Sequence, residues 1–334
     1  MPNPTMPRDE KDPTGLASSR RRADKRIEIM FQSIARDIRK VVAELPREQV
    51  AGEDSKSYKS EMRKADLVAN KQYSWQVDNW LMDRTMNTVR RILTDYLLSG
   101  DTAWQYRWWF NGFIDQSYEK GTLDSIYSAK QITRGIDAQS ANAIAIMEAE
   151  AQLQTQPYLS RLQLVHGRVF EEMAGIVGDS VAQLRRVLTD GMARGLGIRD
   201  ISGMINDRVG VGMSRAKKIA RTEINKAYTD AYMDEADELN KNLEDDDLVI
   251  RQMHVSALTS TTRRTHAMRH GTIHTRIEQQ KWWDSGANRI NCYCSVTDVL
   301  VVKSTGKPVG GDSLIKRTRE RGEEYFKIHG FAKA

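Results

Sequence analysis

Apolar side chains in the first 240 residues recur at intervals of three and four, the spacing that places them on one face of an α-helix. Ile27, Phe31 and Ile34 begin this pattern, and residues 162–188 repeat it over several turns. Proline and glycine residues interrupt it, because both tend to end helices. Most of the chain is therefore predicted to be helical. The predicted helices span approximately residues 18–45, 57–98, 138–153, 158–192, 198–209 and 214–240.

The pattern changes after the acidic run at residues 244–247. Residues 248–258 and 292–302 alternate between apolar and polar positions and are rich in valine, which is typical of β-strands. The fold class is therefore mainly α, with an elongated helical N-terminal body and a smaller C-terminal α+β module. The predicted segments are a flexible arm at 1–17, the helical body at 18–210, the α+β module at 211–305 and a basic C-terminal tail at 306–334.

Composition excludes several classes of protein. Hydrophobic residues make up 40% of the chain and charged residues 29%, which suffices for a folded core. The net charge of +6 tolerates nucleic acid nearby without requiring it. The sequence contains no apolar run of about 18 residues, so no membrane span is predicted. The polar first 14 residues lack the apolar segment of a signal peptide, so the protein is expected to stay in the compartment where it is made.

Aromatic residues are concentrated between residues 73 and 113. Trp104, Trp108 and Trp109 form the densest group. Rings at this density suit a surface that anchors a partner protein, a platform on which single-stranded nucleic acid stacks, or the core of a helical domain. Little positive charge is interleaved with the rings, which favours the partner surface over the nucleic-acid platform. The choice between partner surface and core stays open.

A Gly-x-Gly element precedes a helix that is predicted to begin near Ser214. A glycine turn into a helix N-terminus exposes backbone N–H groups that can hold a phosphate, and serine is a favoured N-cap. Three cations follow directly. The sequence therefore predicts a DNA-binding turn, and the alternative is an ordinary connection between two helices. The residues of this turn are Gly210, Gly212, Ser214, Arg215, Lys217 and Lys218.

Two histidines and two cysteines in the last third of the chain form a candidate zinc set. His266 and His270 are four apart, so a helix would place them on one face, and Cys292 and Cys294 would share one face of a strand. Two histidines and two cysteines make a closed tetrahedral zinc site, which is structural because no position remains for water. His274 competes as a ligand. The alternative is that the histidines form local hydrogen bonds and the cysteines, expected to be free in a reducing cytosol, pack as small buried side chains.

Three motifs follow one another in the second half of the chain: IARTE at residues 219–223, an arginine- and histidine-rich segment at 263–271, and a C-x-C at 292–294. In this order they resemble the Mu F-like family of phage head-morphogenesis, or minor capsid, proteins over roughly residues 160–302. Family members often carry proline and histidine ahead of the C-x-C, whereas this chain has the run Ser285 to Asn291. The residues that carry the resemblance are Arg221, Thr222, Glu223, Arg264 and Gly271.

The resemblance implies a structural protein of the phage head, present in a few copies and without enzymatic activity. The implied partners are the portal protein, the major capsid or scaffolding protein and double-stranded phage DNA. The implied location is the head interior at the portal vertex, and the host cytoplasm during assembly. The family is also related to the ADP-ribosyltransferase fold, which would describe the C-terminal module without giving it that activity.

Two other functions remain as alternatives. The first is a DNA-binding module that uses the glycine turn and the basic termini. The second is a metal-dependent enzyme in which Glu223 acts as a general base. A pairing of Glu223 with Lys226 or Arg264 would instead make this carboxylate part of a structural clamp.

Overall fold

The computed structural model describes residues 3–50, 73–99, 108–133, 149–243 and 247–329. The chain is mainly helical with a small strand module near its C-terminus, as the sequence predicted. The helices are α1 (Ala17–Ala43), α2 (Asn79–Leu98), α3 (Asn111–Ile132), α4 (Ala149–Gln152), α5 (Gln156–Ala193), α6 (Ile198–Asn240), α7 (Arg264–Arg269), α8 (Arg276–Asp284) and α9 (Asp312–Ile328). The strands are β1 (Arg47–Gln49), β2 (Tyr73–Trp75), β3 (Leu248–Val255), β4 (Ile273–His274) and β5 (Ser295–Val302).

The chain divides into two compact units. One, the helical unit, combines Asp24–Trp109 with Gly167–Lys217. The other, the sheet unit, combines Met1–Ala23, Phe110–His166 and Lys218–Ala334. The domain boundary predicted at residue 210 therefore falls inside α6. Among the described residues, no helix combines the length and apolar composition needed to cross a membrane.

Trp108 and Trp109 are core residues of the helical unit, which contradicts the alternative that they form a partner surface. They are 2% and 9% exposed. The indole N–H of each donates to the carbonyl of Leu97, at 2.8 and 2.9 Å. Buried indole N–H groups need acceptors, and the last carbonyls of α2 are free to accept because they lack helical donors. Trp104 lies outside the described residues.

The sheet unit is built on a three-stranded antiparallel sheet in the order β4-β3-β5. Strands β3 and β5 pair along their full lengths, and alternate residues face opposite sides of the sheet. On one side Ile250 and Leu300 pack against residues of α3 and α6. On the other side Val299 and Val301 pack against Ile315 of α9. Both faces of this small sheet are therefore covered.

The second face of the sheet is covered by residues of the predicted arm at 1–17 and of the predicted basic tail at 306–334. The hydroxyl of Thr297 donates to the carbonyl of Thr5 at 2.6 Å, and Met6 packs beside the valines of β5. In the predicted basic tail, α9 buries Ile315 and Tyr325. Residues of the predicted arm and of the predicted basic tail therefore pack on the sheet, where a few apolar residues in each segment keep its outer face away from water.

Helix α6 runs without interruption from Ile198 to Asn240, so the glycine turn predicted at Gly210 to Gly212 is wrong. The hydroxyl of Ser214, an interior residue, donates to the carbonyl of Gly210 at 3.0 Å. A glycine inside a helix costs only about 1 kcal/mol relative to alanine, and the apolar face of the helix offsets that cost. Interior N–H groups bond to carbonyls four residues earlier and are not available to a phosphate.

Two of the three cations of the predicted DNA-binding turn are paired inside the helical unit. Arg215 forms an ion pair with Asp179, and Nζ of Lys217 lies 3.8 Å from a carboxylate oxygen of Glu28. The prediction that this segment binds DNA therefore loses both the exposed N–H groups and part of the free charge on which it depended.

A Gly210→Ala substitution tests the continuity of α6. A Cβ at Gly210 would have no neighbour within 4 Å, so alanine should raise the free energy of unfolding by roughly 0.5–1 kcal/mol. Gly203→Ala, another open helical position, is the matched control and should stabilise by a similar amount. Urea unfolding followed by circular dichroism measures both. If Gly210→Ala destabilises the protein and Gly203→Ala does not, the result would support the predicted glycine turn over a continuous helix.

A fully buried carboxyl group lies on the face of the sheet that packs against α6. Asp298 of β5 has no exposed surface, and its backbone N–H donates to the hydroxyl of Tyr232 at 3.3 Å. Burial raises the pKa of the Asp298 carboxyl to about 8, because the charged form is poorly solvated there. The group is therefore mostly protonated at neutral pH and acts as a neutral polar side chain.

An Asp298→Asn substitution should remove a pH dependence of stability. The unfolded chain loses this proton near the ordinary pKa of 3.8, whereas the folded chain keeps it to about 8. The wild type therefore loses stability as pH rises through that interval, while the neutral asparagine does not. We expect the free energy of unfolding of the variant, measured by chemical unfolding, to rise relative to that of the wild type between about pH 4 and about pH 8. A difference that stays constant with pH would contradict the raised pKa.

Candidate functional site

Two histidines and two cysteines from three separate parts of the sheet unit meet near the end of β3. His254 lies on β3, His266 on α7, and Cys292 and Cys294 on the loop that leads into β5. The donor atoms of His254, His266 and Cys294 lie within 4.8 Å of one another. Nδ1 of His266 is 3.3 Å from Sγ of Cys294 and 3.5 Å from Sγ of Cys292. These four residues are called the His/Cys cluster below.

The His/Cys cluster has the donor types and spacing of a tetrahedral zinc site. Zn–N bonds of about 2.0 Å and Zn–S bonds of about 2.3 Å place nitrogen and sulfur ligands roughly 3.5 Å apart. The two distances at His266 agree with that spacing. Among the described residues, Nε2 of His254 has no hydrogen-bond partner, although buried polar atoms normally have one. The cluster can therefore hold a metal ion.

His270 is not part of the cluster, contrary to the prediction from its spacing. Helix α7 ends at Arg269, and His270 is its C-cap with φ −58° and ψ 125°. The helical geometry that would place it beside His266 therefore does not reach it. Its Nδ1 instead accepts the backbone N–H of Ser256 at 3.0 Å. Burial lowers the pKa of His270 to about 4, which keeps the ring neutral and able to accept this bond.

His254 is the cluster residue that the sequence analysis missed. It shares a face of β3 with Ile250 and Gln252, because strand residues two apart point the same way. The alternation in β3 was the available signal that this histidine points inward. The register that pairs His254 with Val296, two residues after Cys294, brings it to the cysteines. That pairing depends on tertiary structure and leaves no local pattern in the sequence.

Burial and mutual contact set the protonation of the cluster. Burial, followed by the charge of His266, lowers the pKa of His254 well below its ordinary value. A hydrogen bond from Cys294 lowers the pKa of Cys292 well below the ordinary range, and a hydrogen bond from His266 adds to this. The same bond to Cys292, together with burial, raises the pKa of Cys294. Neutral imidazole and thiolate are the forms that bind metal ions.

The loop that carries the cysteines is held from two sides. On α6, the hydroxyl of Thr222 accepts the N–H of Asn291 at 2.8 Å, and the side-chain amide of Asn225 donates to the carbonyl of Cys294 at 3.0 Å. From the start of α7, the guanidinium of Arg263 donates to two carbonyls of the same loop. Anchors directly before the C-x-C and at its last residue therefore hold the backbone that carries both sulfur atoms.

The other motif residues lie on α6, at the start of α7 and directly after it. Gly271 follows α7 with φ 75°, and a Cβ there would lie 2.7 Å from the backbone nitrogen of Arg319, so this position requires glycine. Its N–H donates to the carbonyl of His254 at 2.9 Å. Arg264 is the first residue of α7. Arg221 and Glu223 lie on α6, and Glu223 is buried.

A chain of hydrogen bonds from Arg269 through Gln279 ends at His254. Nε and Nη2 of Arg269 each donate to Oε1 of Gln279 at 3.2 Å. Nε2 of Gln279 in turn donates to Nδ1 of His254 at 2.9 Å. The Trp282 ring lies 4.8 Å from the ring of His266 and 4.7 Å from the guanidinium carbon of Arg269. Contacts of this kind orient metal-binding histidines and set their tautomers.

Residues 182–297 match the family model described as Phage Mu protein F like protein. This segment is similar to the Mu F-like family and is called the Mu F-like segment below. The Mu F-like segment contains all four residues of the His/Cys cluster and the parts of α6 that hold the cysteine loop. It covers less than half of the chain. No curated protein and no solved structure matches the chain, so the relation to the ADP-ribosyltransferase fold stays a prediction.

Zinc content tests the cluster directly. We expect the folded protein to bind one Zn²⁺, and Cys292→Ser and Cys294→Ser each to weaken binding by more than about 100-fold, because a lost ligand should cost more than a lost outer contact. His270→Gln is the matched control and should bind zinc like the wild type. Dialysis followed by elemental analysis and competition with a chelator measures this. Equal zinc content in all four proteins would contradict the assignment.

Proposed function

We propose that the protein is a structural minor component of a tailed-phage head that acts at the portal vertex during head assembly and DNA packaging. The match of residues 182–297 to the Mu F-like family carries this proposal, because that family points to phage head morphogenesis. The partners would be the portal protein and the major capsid or scaffolding protein. The protein would reside inside the virion head, and in the host cytoplasm during assembly.

The burial of the His/Cys cluster supports a structural role over catalysis. The exposed fractions of His254, His266, Cys292 and Cys294 are 0%, 2%, 4% and 3%. A catalytic zinc site keeps a position open for water or substrate, whereas a structural site is closed by protein ligands. We propose Zn²⁺ as the bound ion. It would link β3, α7 and the cysteine loop, and its contribution would be to folding.

Trp80 replaces the buried tryptophans as the proposed contact with the portal protein. It is 67% exposed at the start of α2, and the guanidinium carbon of Arg84 lies 5.6 Å from the centre of its ring. Tryptophan and arginine are enriched among the residues that contribute most to binding energy at protein interfaces. An exposed ring of this size next to a cation therefore suits a surface that docks a partner better than a surface that contacts only water.

A pull-down against the portal protein encoded beside this chain tests the docking surface. We expect nuclease-treated wild type to retain the portal at physiological salt. Trp80→Ala should weaken retention about 30-fold, which corresponds to loss of an interface residue worth roughly 2 kcal/mol. Leu164→Ala is the matched control, because this exposed apolar residue lies on α5 and is 74% exposed. It should bind like the wild type.

The same experiment separates docking from DNA binding. Retention that disappears after nuclease treatment, or falls steeply as salt rises, would identify DNA as the ligand instead. Failure of the folded wild type to retain the portal at either salt concentration would contradict the portal-vertex proposal. Equal weakening by Trp80→Ala and Leu164→Ala would contradict the assignment of the surface while leaving the partner intact.

A further inference from the structure

We infer that Gln279 determines which ring nitrogen of His254 carries the proton, and thereby limits how tightly the His/Cys cluster holds a metal ion. The inference rests on the proposed zinc site. Gln279 lies on α8, has no exposed surface and is a positioning residue, because it would touch a ligand of the metal but not the metal itself.

The two hydrogen-bond partners of Gln279 fix the orientation of its amide. Oε1 accepts two N–H groups of Arg269, each at 3.2 Å. A guanidinium can only donate, so the oxygen of the amide must face Arg269 and its nitrogen must face His254. The reverse orientation would set an NH₂ group against the guanidinium. The hydrogen bonds therefore run from Arg269 to Gln279 and from Gln279 to His254, because the guanidinium has no acceptor atom.

This direction determines the tautomer of His254. Nε2 of Gln279 donates to Nδ1 of His254 at 2.9 Å, so Nδ1 is an acceptor and carries no proton. A neutral imidazole then has its proton on Nε2. Within the described part of the chain, that nitrogen has no hydrogen-bond partner. It is the ring nitrogen left for the cluster, in which His254 has a donor atom within 4.8 Å of those of His266 and Cys294.

Ligation of a metal by His254 would therefore require the proton to leave Nε2 and another to bind Nδ1. The new Nδ1–H needs an acceptor, as metal-binding histidines generally have. Gln279 can accept only if its amide turns, and this breaks both bonds from Arg269. Ligation by His254 and the contact between Arg269 and Gln279 thus exclude one another. His254 is therefore the ligand whose engagement the bond from Gln279 opposes.

Two substitutions of Gln279 separate this role from simple packing. In Gln279→Glu, a carboxylate can accept from Arg269 and from Nδ1–H of His254 together, so zinc affinity should rise about tenfold or more. In Gln279→Leu the acceptor is absent, and affinity should fall below that of Gln279→Glu by about 100-fold or more. Competition with a chelator gives the affinities, and the Co²⁺ absorption spectrum reports the number of sulfur and nitrogen ligands. Equal affinity in the wild type and Gln279→Glu would overturn the inference.

The tautomer itself can be read in the full-length wild type, whether or not the variants fold. Nitrogen-15 NMR should show His254 protonated at Nε2 without metal and at Nδ1 with Zn²⁺, and His254→Gln identifies its signals. A proton on Nδ1 before metal is added would overturn the role of Gln279. Failure of the folded wild type to bind zinc would instead refute the proposed zinc site, and the metal-free tautomer would still decide what Gln279 does.

Discussion

The attachment of the cysteine loop to α6 is the contact on which the arrangement of the Mu F-like segment depends. Thr222 and Asn225, one turn apart on α6, bond to the backbone on either side of Cys292. Strand β5 begins directly after Cys294, so the same anchors also determine where β5 starts. The pairing of β5 with β3 then places His254 beside the sulfur atoms. One loop position therefore sets both the sheet register and the cluster.

The sequence predicted α1 and α5 nearly to their bounds, because the apolar spacing of these helices extends over many turns. It assigned no helix to Asn111–Ile132. It failed at Gly210 because the cost of a helical glycine, about 1 kcal/mol, is small beside the apolar burial along α6. It could not assign Trp108 and Trp109, since a run of aromatic residues is equally suited to a core and to an interface. Trp80, in the same aromatic region, is exposed while the other two are buried.

The spacing in the sequence predicted His266, Cys292 and Cys294 of the cluster but not His254. The reasons differ between the cysteines and the histidines. The cysteines share the loop before β5, so a short local pattern is enough. For the histidines, spacing of four required a helix that continues through residue 270, but α7 ends one residue earlier. His254 lies 12 positions before His266 along the chain and approaches it only through the sheet. Contacts of that kind are set by packing and cannot be recovered from local pattern.

A bound metal has a clear physical role in a unit of this form. The sheet has three strands, one of which, β4, has two residues, and its outer face depends on short segments near both ends of the chain. A metal link among β3, α7 and the cysteine loop would form only in the folded unit, so metal binding would stabilise the fold. The contact between Arg269 and Gln279 acts against that link, because it holds His254 in the tautomer that cannot ligate. The stability of the unit would then depend on whether Gln279 bonds to Arg269 or to a metal-bound His254.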